Sequence, residues 1–446
     1  MRDPLWFAQR GGQDWRDGNV LRVIEWFTSC VDSRAWSRRM DEISCGFEAA
    51  QQALANGEKN VALFDPNDAI AWYVFQAHAF AAKRENWYEP EAYRIAPVFW
   101  RLGQVLPHLQ FVAGVYDRIE HLMTEGKSQP DDTLYELLVA ASYKSRGWND
   151  VRFVATQPGV TKTHDIVVAT SRRRWAVECK RVKKTGYAAE EREQAEKLAS
   201  TVHELCSVRN RSVVLEVIFK VELWQLGETY LAERVAAFFE NRSHNRWEDL
   251  YALGRIREID WAVPSAVLQA DDVFYGSSRM VELLAGEYIP HVDYSLSADW
   301  VPAADRPLFA TSIRQASVIA WKSGAPEAAF RKARHFRSLV AKACRQLPED
   351  APGVIHIGYE NRIGDSTDEL LHLLNLTAVK DFSPHPKRLR WVYANYMAPE
   401  HTTNRNESLA VTETTARYKI GRHQTAEPLA NHLLFSDEEG VQGCHW

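Results

Sequence analysis

The apolar positions of the chain change their period near residue 128. Before it they recur at helical spacing, with many aromatics among them. DPNDAIAWYVFQAHAFAAKRENW (65–87) reads as a helix with Asn67 or Asp68 near its start. In QFVAGVYDRIEHLMTEG (110–126), Val112, Val115, Ile119 and Leu122 share one helical face, and Gly126 sits at the stop. GKSQPDD marks a boundary. DDTLYELLVAASYKSRG (131–147) is apolar almost all round, the pattern of a buried helix closed by Gly147. DVRFVA (150–155), HDIVVA (164–169) and RWAVECK (174–180) then read as short strands, the last two joined by the polar turn TSRR. A charged helix (188–206) and an apolar strand, VVLEVIFKVEL (213–223), follow.

This order predicts an α/β fold in four parts. Residues 1–128 form a helical N-terminal domain, and 129–226 a core with a mixed sheet flanked by helices. Residues 227–345 are a mostly helical insertion, with helices at 228–242 and 330–347. Residues 346–446 are an α/β extension with strands at 354–360 and 389–397, able to complete the core sheet. The last 45 or so residues are polar and mixed and are given no structure.

Composition narrows the classes. No apolar run approaches the ~20 residues of a membrane span, and the N-terminus lacks the apolar segment of a secretory signal. The six cysteines are scattered with no CxxC pair, so a reducing cytoplasm is expected rather than a disulfide framework or zinc ribbon. His335, His356, His372 and His385 show no zinc-binding spacing. No phosphate-binding glycine motif is present. The formal net charge of −5 argues against a surface coated for nucleic acid, but leaves room for one basic groove.

The chemistry-bearing pattern lies in RWAVECKR. Strand alternation puts Trp175, Val177 and Cys179 on one face and Ala176, Glu178 and Lys180 on the other. A hairpin through Thr170–Arg173 would bring Asp165 back beside Glu178. Two carboxylates can hold a hard divalent cation whose shell water completes, and a lysine beside them can offset charge growing on phosphorus. Glu136, on the preceding buried helix, would supply a third carboxylate. Thr133-Leu-Tyr-Glu136 also matches a capping box, in which Glu136 would only bond the helix start. Arg172, Arg173, Arg174, Arg181, Lys183 and Lys184 surround the motif and could contact phosphates, or be no more than a soluble turn. The tryptophans, Trp72 and Trp100 among them, read as core.

YELL, GWNDVRFV, HDIVV and WAVECKR, taken in succession, resemble the motifs of the PD-(D/E)XK, or restriction-endonuclease-like, nuclease superfamily, over about 95 residues from Asp131 to Leu226. His164 stands where the signature has proline, a loosely specified position. The resemblance implies Asp165, Glu178 and the carbonyl of Cys179 as ligands of Mg²⁺, with Mn²⁺ as the alternative. It implies Lys180 as the catalytic lysine and Glu136 as the helix-borne acid. Gln194, on the next helix, resembles a glutamine of some branches. The expected function is metal-dependent hydrolysis of phosphodiester bonds, with DNA as partner, in restriction, phage defence or repair. The alternatives are a catalytically silent nuclease-like module that binds nucleic acid or acts as a scaffold, and a protein that binds a partner or a second copy through its N-terminal helices.

Overall fold

A computed structural model describes residues 17–56, 58, 61–83, 86–155, 163–182, 187–287, 289, 293–304, 307–360, 369–400, 410–430 and 432–436. The chain opens with helices α1 (Gly18–Ser29), α2 (Ser33–Ala55), α3 (Ala69–Ala82), α4 (Glu89–Leu109), α5 (Val115–Met123) and α6 (Pro130–Ser145). Strands β1 (Asp150–Phe153), β2 (Ile166–Ala169) and β3 (Arg174–Arg181) follow. Next come α7 (Tyr187–Arg209), β4 (Val213–Phe219), α8 (Tyr230–Glu240), β5 (Arg246–Glu248) and β6 (Ala252–Glu258). Then α9 (Ala262–Ala270), β7 (Val273–Phe274), α10 (Ser278–Ala285), β8 (Asp293–Pro302) and β9 (Phe309–Ser323). The last elements are α11 (Pro326–Gln346), β10 (Gly353–Glu360), α12 (Glu369–Lys380), β11 (Leu389–Glu400) and β12 (Ala410–Lys419).

Local chemistry explains several of these limits. Asp17 caps α1 by accepting from the N–H groups of Asn19 and Val20, and Asp32 caps α2 through Ala35. Asp68, expected at the start of α3, precedes it but makes no cap. Its carboxylate instead takes a two-pronged hydrogen bond from Arg39, at 2.7 and 2.6 Å. The helix expected from Gln110 begins only at Val115. Gly114 takes a left-handed conformation there (φ 75°), and Ala113 runs alongside β1, exchanging hydrogen bonds with Val151 and Phe153.

The described strands form two sheets. The first has the order β1-β2-β3-β10-β11-β12. β2 runs antiparallel between β1 and β3, β3, β10 and β11 run parallel, and β12 returns antiparallel. One face carries Trp175, Val177, Cys179 and Val354 and packs against α6 and the N-terminal helices in one continuous core that includes Trp72. The helical N-terminal region therefore has no separate core. The opposite face carries Ala176, Ile355 and Ile357 and is covered by α11 through Phe336, Val340 and Ala343.

The second sheet has the order β5-β6-β4-β9-β7, with β8 also on β9. It is padded by α7 and α8 on one side and by α9 and α10 on the other. Three expectations are corrected here. The apolar strand at 213–219 does not join β3 but lies in the second sheet, and so does the helix before it. Residues 227–345 are not mostly helical, since β5 to β9 fall among them. The polar tail is structured in part. β12 closes the first sheet, and buried Glu413 accepts the N–H groups of Leu434 and Phe435. The extension from residue 353 does continue the core sheet, and it docks against β3 itself.

Among the described residues no helix is long and apolar enough to cross a membrane.

Candidate metal-dependent active site

β2 and β3 pair in register from Ala169–Arg174 to Ile166–Val177. Beyond that point β2 leaves the regular ladder. The N–H of Asp165 still donates to the carbonyl of Val177 (3.1 Å), while its side chain takes over the next rung, Oδ2 accepting the N–H of Cys179 (2.8 Å). The Asp165 carboxylate is thereby fixed against β3 at Glu178 and Cys179. It is buried, at 6% exposure, and Glu178 is wholly buried.

Lys180, two residues on and on the same face as Glu178, hydrogen-bonds Glu178 Oε1. Its ammonium also donates to the carbonyl of Cys179 (3.2 Å). The second Glu178 oxygen, Oε2, is buried with no hydrogen-bond partner. Burial, and after it the charge of Asp165, push the Glu178 carboxyl up to about 9, against the pull of Lys180. Burial works against the charge of Lys180, but Glu178 beside it outweighs that and holds the ammonium above its ordinary range. Burial and three surrounding carboxylates (Asp165, Glu136 and Glu178) push the Cys179 thiol well up, so it is no nucleophile.

Glu136 reaches this neighbourhood from α6. Its Oε2 lies 3.1 Å from Arg118 Nε, and that guanidinium sits 5.2 Å above the Phe153 ring of β1. α6 starts at Pro130 with Gln129 at the cap position, so Glu136 stands in its second turn and the capping-box reading fails. Arg118, on α5, was not singled out in the sequence. Its link to Glu136 joins two helices and leaves no local signature.

The other sequence candidates separate from the acids. Arg172, Arg173 and Arg174 are exposed at the hairpin tip, where Thr170 Oγ1 accepts the N–H groups of Arg172 and Arg173. The acidic pair lies at the opposite end of the same strands, about 13 Å away at ~3.3 Å per residue. The tip is therefore not part of this site. Arg181 points to the α6 side and lies 3.9 Å from Asp131. Gln194 rides on α7, which packs on the second sheet, and not on the helix that covers β3. Lys183 and Lys184 lie outside the described residues.

Among the described residues no group of three or more His, Cys, Asp or Glu side chains is arranged to hold a metal ion. The site offers two carboxylates and the main-chain oxygen of Cys179. That oxygen-only set suits a hard cation such as Mg²⁺, which commonly keeps several waters and takes one or two carboxylates. The fit is supported by the orphaned Oε2 of Glu178 and by the upward push on its carboxyl. Both are what a buried acid pair shows without a cation between its members. No family model, no curated protein and no solved structure matches the chain, so the reading of this site rests on its own chemistry.

Proposed function

We propose that this chain is a Mg²⁺-dependent phosphodiesterase acting on nucleic acid, DNA in the first instance, with a core of the PD-(D/E)XK type. The observation that carries the reading is the buried junction of Asp165, Glu178 and Lys180 where β2 parts from β3. The order α6-β1-β2-β3-α11-β10 supports it, with β10 parallel to β3 and the second sheet inserted between β3 and α11.

In this reading Asp165, Glu178 and the carbonyl of Cys179 would hold the ion. The ion would polarise a phosphoryl oxygen and lower the pKa of a bound water. Lys180, which hydrogen-bonds Glu178 beside the site, would offset charge on the phosphoryl oxygens. Asp165 is kept in place by the N–H of Cys179, which leaves its other oxygen for the ion. Arg118 orients Glu136 toward the same end of the sheet, where it accepts a proton or orients water.

The test is incubation with plasmid, linear and single-stranded DNA in Mg²⁺, Mn²⁺ or EDTA. Wild type should cut only with metal. Asp165→Ala, Glu178→Ala and Lys180→Ala should each lower the rate by about two orders of magnitude or more, the usual scale for charge stabilisation in a closed site, and remain folded. Glu136→Gln should cut at least tenfold more slowly. A wild-type rate in any of the first three variants would remove the assignment.

A further inference from the structure

The exposed side of α11 carries a run of cations. Between Phe330 and Gln346 the sequence has six Lys or Arg residues and no acid. α11 buries Ala329, Ala333, Phe336, Val340 and Ala343 against the first sheet. At 3.6 residues per turn, Arg331, Arg334, Lys342 and Arg345 fall within an arc of about 80° on the opposite side, with Arg337 about 60° further round. The stripe from Arg331 to Arg345 is ~21 Å long at ~1.5 Å per residue.

Several exposed cations elsewhere are neutralised locally, although Arg172, Arg173 and Arg174 at the hairpin tip make no ion pair among the described residues. Arg211 and Arg242 pair with Glu258, Arg255 with Glu216 and Glu287, Arg314 with Asp299 and Lys220 with Glu248. On α11, Arg331 pairs with Glu222 and Lys332 with Glu191. Arg334, Arg337, Lys342 and Arg345 make no ion pair among the described residues, and all four are exposed. Four exposed cations along one helix, without an ion-pair partner among the described residues and in a chain with a net charge of −5, suit an anionic partner of regular charge spacing.

The stripe is also placed for the site. α11 covers the face of β3 that bears Ala176, Glu178 and Lys180. Its N-terminal half lies at the Lys180 end of that strand. There Phe336 stacks on Tyr359 (ring centroids 6.2 Å apart), one residue beyond the Gly358–Arg181 pair.

We infer that the exposed face of α11, through Arg334, Arg337, Lys342 and Arg345, is a docking ridge for the phosphate backbone of double-stranded DNA. A duplex is favoured over a single strand because no Phe, Tyr or Trp is exposed between Arg334 and Arg345, where a stacking platform would need them, and the exposed Phe330 lies ahead of all four cations. The inference rests on the phosphodiesterase reading for its choice of nucleic acid, but its test does not need cleavage.

The test measures binding of a 30-base-pair duplex DNA in EDTA from 50 to 300 mM salt. It compares wild type, the variant R334Q/R337Q/K342Q/R345Q, and the hairpin-tip variant R172Q/R173Q/R174Q, which also loses exposed charge. Glutamine keeps helix propensity, and circular dichroism monitors folding. The ridge variant should bind at least about tenfold more weakly at 100 mM salt. Its log–log salt slope should be shallower by up to ~3.6, at ~0.9 per lost contact. The tip variant should stay close to wild type. Unchanged affinity and slope in the ridge variant would overturn the inference, and metal-dependent cutting by wild type would then leave the phosphodiesterase reading standing. Loss carried by the tip variant instead would also overturn it. So would binding of phosphatidylserine vesicles with no binding of the duplex. A loss confined to the ridge variant, with no cutting by wild type in Mg²⁺, would keep the ridge and remove the phosphodiesterase reading.

Discussion

Glu178 is the residue on which stability and chemistry pull apart. Its carboxyl is pushed from an ordinary value of 4.5 up to about 9 by burial and by Asp165. A carboxyl raised in the folded state contributes fully below its ordinary value and gives up stability as pH climbs toward the raised one. Without metal, wild type should therefore lose stability between about pH 4.5 and 9, in the range where the enzyme would work. Glu178→Gln cannot ionise and escapes the loss. In EDTA at pH 8 its Tm should exceed that of wild type by several degrees, since each pH unit above the ordinary value costs the wild type up to about 1.4 kcal/mol and about 1 kcal/mol moves domains of 150–250 residues by ~2–4 °C. The gap should close near pH 4.5. Added Mg²⁺ should raise only the wild type, because a ligand stabilises the state that binds it. A scanning calorimetry series across pH measures this, and a Glu178→Gln protein less stable than wild type at pH 8 would refute it. The glutamate and the lysine could be picked out from strand alternation alone, as both stand on the polar side of an otherwise apolar strand. That Asp165 replaces a ladder rung by bonding the N–H of Cys179 could not, because a residue just ahead of a strand gives no sign of where its side chain turns.

At the level of elements, α6 sets how close its acid comes to the sheet. Tyr135, next to Glu136, lies flat over Gly358 of β10. A Cβ at that glycine would stand 2.8 Å from the Tyr135 ring, and the ring's hydroxyl is already fixed by Asn395 at 2.8 Å. Gly358→Ala should lift α6 off the sheet at this point and lower stability by about 1–3 kcal/mol, the usual range for overpacking a core. Cleavage should fall with it, since Glu136 moves with the helix. Thermal unfolding and a rate measurement on the same sample check both, and a fully active, fully stable variant would mean that α6 position is not critical. The helix and the β2–β3 hairpin were legible because their periods are clean and their partners are near in sequence. β4 and β10 were not distinguishable in that way. Both are short apolar runs after a charged helix, and nearness in sequence favoured β4 as the neighbour of β3. β8 and β9 carry polar residues on both faces over much of their length, so the inserted sheet left little trace in the hydrophobic pattern. The cations of α11 were visible as letters, but their clustering on one side required knowing which side faces the sheet.

For the whole molecule, the insertion between β3 and α11 governs the order in which the chain can assemble. Ala176 pairs with Gly353, so the central ladder of the first sheet joins positions 177 residues apart. Closing a loop of that length from an open coil is slow, because its entropy must be met before any ladder bond forms. The inserted unit shortens that loop. Its own sheet pairs β4 with β6 and β9, α7 packs beneath it, and Gly324 at its exit donates to the carbonyl of Phe219 at 2.7 Å. Once it has formed, the Glu191–Lys332 ion pair, 3.0 Å apart, can tie α7 to α11 and deliver the two halves of the first sheet to each other. Pulse-labelled hydrogen exchange during refolding should find the amides of β4, β6 and β9 protected before those of β3 and β10. Protection of β3 and β10 first would show that the long closure is not the late step. On this view the second sheet, whatever it binds, is a folding scaffold for the first. Substitutions that destabilise it should delay the appearance of the Asp165–Glu178–Lys180 site without touching any residue in it.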